Sequence, residues 1–353
     1  MRTGDFDYHL PPDCIAQLPS QVRDQSRLMH LCRATRAISE TSFDNLDILL
    51  RPDDLLVLND TKVIPARLYV RKPTGGITDI LLTEEIAPND WNAKIRSMNR
   101  MRVGTELEVI PRTPTATPVV VTVLGKSIDS LQVRFSGVDD IRNTLEAIGH
   151  PPLPPYISRN KKSNDTDLSR YQTVYAAQPG SIAAPTAGLH FTESLFQKLQ
   201  SKGVQTAKVT LHVGLGTFMP VKTETLSEHR MHEERFHLSS DTAEKINAAK
   251  NAGRRIIAVG TTTARVLESA ANQFPLVATE GRTRIFIHPP YSFKVIDGLI
   301  TNFHIPKSTL LMLVSAFASP GKADGRQFIL DAYAEAIRRN FRFYSYGDAM
   351  LIL

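Results

Sequence analysis

The chain has 353 residues, enough for two or three domains with a sizeable buried core. It carries 42 Lys and Arg residues against 36 Asp and Glu residues, a net charge of +6, which permits an anionic partner such as RNA without requiring one. No apolar run approaches membrane-spanning length, and the two cysteines, Cys14 and Cys32, form no metal-ligand pattern. We therefore expect a soluble cytoplasmic protein without a disulfide scaffold.

The first candidate site follows a predicted buried strand. Residues 1 to 50 are mixed in pattern, whereas residues 54 to 58 form an apolar run that ends at Asn59 and Asp60. Asn and Asp after a strand usually form a turn, but open α/β sheets also bind ligands outside the carboxyl ends of their strands. Asn59 and Asp60 are therefore candidates for contacting a ligand.

A small antiparallel barrel is predicted next. Six short β-prone runs are separated by turn residues, and they cover residues 67–70, 77–83, 91–95, 106–110, 119–124 and 131–135. A predicted helix at 139–148 and a proline-rich connector at 151–155 then return the chain to the main body. The expected architecture is an α/β main domain with a layered mixed sheet, formed by residues 1–65 and 150–353, and a β-barrel inserted at residues 66–149.

Basic residues occur in the barrel and in the polar segment after the connector. Lys94 and Arg96 belong to the barrel, and Lys161 and Lys162 to a polar loop, with Arg170 a few residues further on. Such residues usually form a solvated surface, but they are also the residue types that bind RNA phosphates.

The central stretch of the chain, residues 182 to 220, holds two histidines beside small, open backbone. His190 follows a loop of small residues, and His212 lies in a predicted strand, residues 209–213, that ends in glycines at Gly214 and Gly216. Either histidine alone is as well explained by a structural role. Together, beside loops that let a ligand approach the backbone, they favour a site.

Residues 229 to 237 concentrate three histidines and two carboxylates, which raises the possibility of a zinc site. The spacing lacks the His-Glu-x-x-His pattern and there is no cysteine partner, so we expect no metal. An acid, base or ligand-contact role is the alternative for His232 and Glu234.

Two later strands also end in polar turns. A strand at 255–259 runs through Gly260 into Thr261 and Thr262, where the backbone N–H groups of a helix start suit a carboxylate or another anion. Neither a P-loop nor a Gly-x-Gly-x-x-Gly fingerprint is present, which argues against nucleotide triphosphatases and ordinary dinucleotide folds. A strand at 299–303 similarly leads to Asn302 and His304, followed by apolar helices from 310 to 318 and around 328 to 337.

Long segments along nearly the whole chain resemble the S-adenosylmethionine:tRNA ribosyltransferase-isomerases of queuosine biosynthesis. The resemblance rests on Leu58-Asn59-Asp60-Thr61-Lys62-Val63-Ile64-Pro65-Ala66-Arg67, Ala183-Ala184-Pro185-Thr186-Ala187-Gly188-Leu189-His190-Phe191, Thr210-Leu211-His212-Val213-Gly214, Ala258-Val259-Gly260-Thr261-Thr262, Thr301-Asn302-Phe303-His304, and the segments 152–157 and 344–350. At position 290 a proline stands where the resemblance predicts glycine, and proline lacks a backbone N–H.

The resemblance implies transfer and isomerisation of the ribosyl group of S-adenosylmethionine onto 7-aminomethyl-7-deazaguanine at the wobble position of tRNA. The products would be epoxyqueuosine tRNA, adenine and methionine, with S-adenosylmethionine as co-substrate and no prosthetic group. We then expect His190 or His212 to be the general base, with Glu234 as a further catalytic candidate. The expected S-adenosylmethionine contacts are Gly214, Thr261, Thr262, Arg265, Asn302 and His304, and Arg265 is alternatively a core residue.

The substrate base is expected to meet Asn59 and Asp60, and the tRNA phosphates Lys94, Arg96, Lys161, Lys162 and Arg170. We expect a monomer with no membrane partner. Two rival interpretations are a non-catalytic RNA-binding protein and an S-adenosylmethionine-dependent tRNA methyltransferase. The first leaves the polar strand ends unexplained, and the second would release S-adenosylhomocysteine rather than adenine.

Overall fold

The computed structural model describes residues 1–95, 98, 101–114, 118–159, 165–214, 216 and 221–353. The strands in these parts of the chain are β1 Arg27–Leu31, β2 Ile38–Ser42, β3 Leu55–Asn59, β4 Thr61–Val63, β5 Arg67–Arg71, β6 Ile77–Ala87, β7 Asp90–Ile95, β8 Glu106–Ile110, β9 Val120–Lys126, β10 Leu131–Ser136, β11 Gln178–Ser181, β12 Gln205–Leu211, β13 Glu234–Leu238, β14 Ile256–Val259, β15 Thr279–Thr283, β16 Gly298–Asn302 and β17 Ala349–Ile352. The helices are α1 Leu46–Leu49, α2 Leu145–Ile148, α3 Asp165–Arg170, α4 Glu193–Ser201, α5 Ser240–Asn251, α6 Thr261–Ala270, α7 Thr309–Ala318 and α8 Gly325–Arg338.

Nine of the described strands form a mixed sheet in the order β15-β13-β12-β3-β14-β16-β17-β1-β2. The four neighbours β12, β3, β14 and β16 run parallel. Every residue of β3 and β14 is buried, as expected for parallel strands covered on both faces. Alternation along β3 sends Leu55 and Val57 to the core beneath α5 to α8, and Leu56 and Leu58 to the core beneath α1 and α4. The predicted layered α/β sheet is therefore confirmed.

The second unit is a closed antiparallel barrel with the strand order β10-β7-β6-β5-β8-β9. Its strands alternate between buried and more exposed residues, so that Leu131, Val133 and Phe135 of β10 all point into the barrel core. The barrel contacts the main sheet through ion pairs from Glu84 to Arg235 and Arg282. The six-stranded barrel predicted from turn spacing is confirmed.

Some predicted elements differ from the observed ones. Residues 27–42 hold two strands, β1 and β2, that the sequence pattern does not indicate, because β2 is a largely polar edge strand. The helix predicted at 139–148 is a 3-10 turn, Ile141–Asn143, followed by the short α2. The strand predicted at 209–213 is β12, which begins and ends earlier and leaves His212 just beyond it. The division at residues 65/66 and 149/150 stays a prediction.

A third, small sheet pairs β4 with β11 in parallel at the carboxyl end of β3. Its first strand, β4, follows β3 after a single residue, Asp60. Within the described parts of the chain, every helix is too short or too polar to cross a bilayer.

The beginnings of β3 and β14 are tied together by a buried ion pair. Asp54 is fully buried and accepts hydrogen bonds from Arg255 Nε at 2.8 Å and Nη2 at 2.6 Å. Arg255→Gln leaves this carboxylate buried without its cation, so we expect a loss of about 3–5 kcal/mol in the free energy of unfolding. Urea unfolding followed by circular dichroism measures it. The control Lys245→Gln, in an exposed pair with Asp241, should cost at most about 1 kcal/mol, and equal effects of the two changes would contradict the assignment.

Candidate active site

Four polar strand ends meet at one edge of the main sheet. The parallel strands β3, β12, β14 and β16 lead respectively to Asn59, His212, Gly260 and Asn302. Because the carboxyl ends of neighbouring parallel strands lie side by side, segments that are far apart in the sequence form one polar rim. The convergence of strand ends expected from the sequence is present.

Asn59 fixes this rim. Its Nδ2 donates to the carbonyl of Leu211 at 3.1 Å and to Thr262 Oγ1 at 3.3 Å, and its Oδ1 accepts from the N–H groups of Leu211 and Thr61. The side chain is fully buried. Asp60 is engaged as well, because its Oδ1 accepts from Thr210 Oγ1 at 2.7 Å. Of the two residues predicted to meet a substrate base, Asn59 is thus fully engaged by protein groups, and Asp60 is engaged through one carboxylate oxygen.

The start of α6 forms a small polar pocket. Gly260 has φ of +92°, which allows the sharp turn from β14 into the helix. The first backbone N–H groups of the helix have no partner within it, so they favour negative charge at this end. Thr186, Thr261, Thr262, Asn302 and His304 line a pocket of about 30 Å³. That volume has room for about two water molecules and suits one carboxylate group rather than a whole nucleoside.

His190 is a buried, neutral histidine in a hydrogen-bond chain. Asn302 Nδ2 lies 3.2 Å from its Nε2, and Ser26 Oγ lies 2.6 Å from its Nδ1. Since the Asn302 amide oxygen accepts from Thr186, its amide nitrogen donates to Nε2, and Nδ1–H donates to Ser26. Burial, aided by Arg342 and Arg23, lowers the pKa of His190 to about 3. Both ring nitrogens are engaged in hydrogen bonds, so His190 supports the side chain of Asn302.

His304 has a similar environment. Its Nε2 lies 2.8 Å from Thr301 Oγ1, and its backbone N–H donates to the Tyr333 hydroxyl at 3.0 Å. Burial lowers its pKa to about 3, so this ring is also neutral at physiological pH.

A much larger cleft lies between the main sheet and the barrel. Its volume is about 710 Å³, within the range of small-molecule binding sites. The main body contributes His212, Gly214 and Glu234, and the barrel contributes Glu85 and Trp91. Val213 lines both this cleft and the α6 pocket, so the two cavities are neighbours. His212, Thr262 and Asn302 therefore border adjoining cavities, whereas His190 contacts the rim from behind.

His212 is the histidine that faces the cleft. Its Nδ1 lies 2.9 Å from Thr61 Oγ1, and no described residue is hydrogen-bonded to its Nε2. Burial lowers the pKa of His212, the Arg235 guanidinium lowers it further, and the Asp60 carboxylate opposes them. His212 therefore stays neutral to a lower pH than an ordinary histidine. Its neutral Nε2 can accept a proton.

Glu234 and Arg265 form a buried ion pair. Arg265 Nη1 donates to Glu234 Oε2, and the backbone N–H of Gly214 donates to Glu234 Oε1 at 3.0 Å. Arg265 is 2% exposed, and its Nε and Nη2 have no hydrogen-bond partner among the described residues. Of the two roles predicted for Arg265, the structure shows it enclosed in the core beside Glu234. Glu234 accordingly anchors the glycine segment after β12.

The predicted phosphate-binding residues are dispersed. Lys94 lies on the outer face of the barrel, with its Nζ 3.9 Å from Asp129. Arg170 donates to the backbone carbonyls of Ser20 and Gln21 and so holds the N-terminal segment in place. Arg96, Lys161 and Lys162 lie outside the described residues.

Several residues of the site have no clear signal in the sequence. Thr61 directly follows the predicted residues Asn59 and Asp60 but is not itself predicted. Gly180 and Arg235 act on His212 only because distant segments come together in the fold. Among the residues that the structure describes, no three His, Cys, Asp or Glu side chains are grouped to hold a metal ion. The expectation of a metal-free site stays a prediction.

Comparison with known proteins identifies the family. A family model described as "Queuosine biosynthesis protein" matches residues 3–352. The chain belongs to this family. The resemblance deduced from its motifs is therefore confirmed.

Curated members of the queuosine biosynthesis protein family match this chain over its full length. The S-adenosylmethionine:tRNA ribosyltransferase-isomerases of Trichlorobacter lovleyi and Carboxydothermus hydrogenoformans are each 50% identical to it, with all of both chains covered. The crystal structure of S-adenosylmethionine tRNA ribosyltransferase from Thermotoga maritima matches with a TM-score of 0.56 and 38% identity, covering 99% of this chain and 100% of that one.

The charge on Arg235 is expected to set the titration of His212. Arg235→Gln removes a cation that disfavours the imidazolium form, so the pKa of His212 should rise, as followed by NMR titration of its ring. Arg282→Gln is the matched control, because Arg282 also pairs with Glu84 but is not among the charges that act on His212. An equal rise in both variants, or none in Arg235→Gln, would contradict this assignment.

Proposed function

We propose that this chain is an S-adenosylmethionine:tRNA ribosyltransferase-isomerase. It transfers and isomerises the ribosyl group of S-adenosylmethionine onto 7-aminomethyl-7-deazaguanine at the wobble position of tRNA, with release of adenine and methionine. The observation that carries the proposal is the position of His212 in a large cleft that adjoins the anion pocket of α6. This arrangement supplies a base, a place for a carboxylate and space for two substrates.

The carboxylate of S-adenosylmethionine is assigned to the α6 pocket. The hydroxyl of Thr262 accepts a hydrogen bond from Asn59, so its own proton is free to donate to a carboxylate oxygen. The N–H groups at the start of α6 add further donors. The sulfonium and ribose then extend past Val213 and Gly214 into the cleft, because the pocket is too small for them.

The charged side chains that line the cleft favour the binding of cationic substrates. Among the described residues, six carboxylates and four cationic side chains line it, although the whole chain has a net charge of +6. The carboxylates are Glu84, Glu85, Asp140, Glu146, Glu233 and Glu234, and the cations are Lys62, Arg142, Arg235 and Arg282. A sulfonium and a protonated aminomethyl group both carry positive charge, so an excess of carboxylates favours them over neutral analogues.

His212 is assigned as the base that starts the reaction. The sulfonium acidifies the C5′ hydrogens, so His212 Nε2 takes one proton and the C–H electrons remain on C5′ as an ylide. The C5′ electrons form a C4′–C5′ double bond and break the C4′–O4′ bond, and the electrons on O4′ then form a carbonyl at C1′ as adenine leaves with the electrons of its C1′ bond. The amine of the tRNA base adds to C4′, and the carbanion regenerated at C5′ adds to the C1′ carbonyl. The resulting C1′ alkoxide displaces methionine from C5′, so that methionine leaves with the electrons of its S–C5′ bond and an epoxide forms. His190 is assigned a structural role instead, since both of its ring nitrogens are engaged. A positioned base typically contributes about 10²–10⁴ in rate.

The tRNA is expected to bind through its phosphates. Of the two predicted phosphate contacts that the structure describes, Lys94 keeps this role, since its side chain on the barrel surface is 35% exposed, and Arg96, Lys161 and Lys162 remain assigned from the sequence. The two hydrogen bonds that Arg170 makes to the N-terminal segment leave it mainly a structural role. Glu234, which is paired with Arg265, is proposed to hold Gly214 in place rather than to exchange protons.

The decisive assay incubates the protein with S-adenosylmethionine and tRNA carrying 7-aminomethyl-7-deazaguanine, and measures adenine by chromatography. We expect stoichiometric adenine release, and a loss of about 10²-fold or more in His212→Gln, because the base is removed. The control His237→Gln changes an exposed histidine on the neighbouring strand β13 and should retain normal turnover. Formation of S-adenosylhomocysteine without adenine would contradict the proposal and would indicate methyl transfer.

A further inference from the structure

Two residues of the small β4–β11 sheet enclose the ring of His212. Thr61 begins β4, and its hydroxyl oxygen lies 2.9 Å from His212 Nδ1. Gly180 belongs to β11, where the register shifts between Pro179 and Ser181 and leaves it without a partner residue in β4. Neither residue is predicted from the sequence to have a role in the site, although both contact the side chain that faces the cleft.

The contact with Gly180 leaves no space for a side chain. A Cβ atom at this position would lie 3.0 Å, 3.1 Å and 3.3 Å from three ring atoms of His212, and Gly180 has φ of +140°. The bulged backbone therefore approaches the imidazole closely, and a Cβ atom at Gly180 would require the ring to shift by a few tenths of an ångström.

Thr61 is itself firmly held. It is fully buried, and its backbone N–H donates to Asn59 Oδ1 at 3.2 Å. The same Asn59 side-chain amide donates to Thr262 and to the carbonyl of Leu211. One amide therefore positions both the Thr61 hydroxyl beside His212 and Thr262 at the α6 pocket. The ring of His212 is thus fixed relative to the expected position of S-adenosylmethionine.

We propose that Thr61 and Gly180 are positioning residues that hold His212 as the Nδ1–H tautomer, with the Nε2 lone pair directed into the cleft. The proposal rests on the function assigned above. A hydroxyl oxygen accepts from Nδ1–H both in the neutral ring and in the imidazolium that forms when Nε2 takes a proton. The ring therefore needs no rearrangement during proton transfer. The charges that face it are Arg235 from β13 and Asp60 from the end of β3, and neither supplies the Nδ1 contact.

The test begins with the tautomer itself, read from the imidazole ¹⁵N shifts of the full-length protein, with His212→Gln used to assign the signal. We expect Nδ1 to be protonated and Nε2 unprotonated in the wild type at neutral pH. Thr61→Val removes the hydroxyl with little change of shape, and should reduce this preference. A wild-type ring protonated at Nε2 would overturn the proposal whether or not the protein shows enzymatic activity.

The kinetic part compares Thr61→Val with Thr61→Ser. Thr61→Val should lower kcat for adenine release by about tenfold or more, which is part of the rate acceleration of about 10²–10⁴ that a positioned base contributes. KM for S-adenosylmethionine should change by less than about twofold. Thr61→Ser restores the hydroxyl and should recover most of the rate. Full kcat in Thr61→Val, or equal losses in both variants, would overturn the assignment.

Gly180 is tested by Gly180→Ala against Gly253→Ala. Both positions have positive φ, but a Cβ atom at Gly253 would meet no atom of the described residues within 4 Å, so only Gly180→Ala displaces the ring. We expect a fall in kcat in Gly180→Ala and none in Gly253→Ala, and equal behaviour would contradict a positioning role. If the wild type releases no adenine, the proposed function is wrong. The ¹⁵N shifts would still show whether His212 is held as the Nδ1–H tautomer.

Discussion

The side-chain amide of Asn59 joins the ends of three segments, β12, β4 and α6, at the rim of the sheet. The side chain is fully buried and uses both its oxygen and its nitrogen, so its orientation is fixed by four hydrogen bonds. The distance between the α6 pocket and His212 follows from this arrangement. A parallel sheet brings such ends to one edge, but a buried amide determines how they are spaced.

Burial separates the histidines of the rim into two kinds. The pKa values of His190 and His304 fall to about 3; both ring nitrogens of His190 are engaged, by Ser26 and Asn302, and Nε2 of His304 lies beside Thr301. His212 is less buried and borders the cleft, and its pKa is lowered without the loss of a free nitrogen. Because desolvation disfavours the imidazolium form in all three, it keeps the rings neutral, and His212 is the one of the three that borders the large cleft.

Much of the fold is predictable because its elements have local signals. The apolar run of β3, the alternation along β8 and β10, and the Thr192 N-cap of α4 each follow from a few neighbouring residues. The polar edge strand β2 lacks such a signal, since its pattern is dictated by pairing with β1. The β4–β11 sheet depends on a contact between segments more than one hundred residues apart, which no local pattern encodes.

The candidate site divides in the same way. Asn59, His212, Thr262 and Asn302 stand at strand ends, so their convergence follows from the topology that the strand and helix order predicts. The engagement of Asn59 by protein groups, the enclosure of Arg265 beside Glu234 and the contact of Gly180 with His212 depend on tertiary packing. Sequence reasoning therefore locates the rim, whereas the division of roles among its side chains needs the structure.

The central claim is that the start of α6 binds the carboxylate of S-adenosylmethionine, and calorimetric titration of Thr262→Val tests it most directly. A hydrogen bond to a charged group contributes about 1.5–3 kcal/mol, so the affinity should fall by about tenfold or more. Thr263→Val is the matched control on the same helix, because the Thr263 hydroxyl donates to the carbonyl of Val259 and is fully buried. A loss confined to Thr262→Val is the predicted result, and unchanged affinity in that variant would contradict the account.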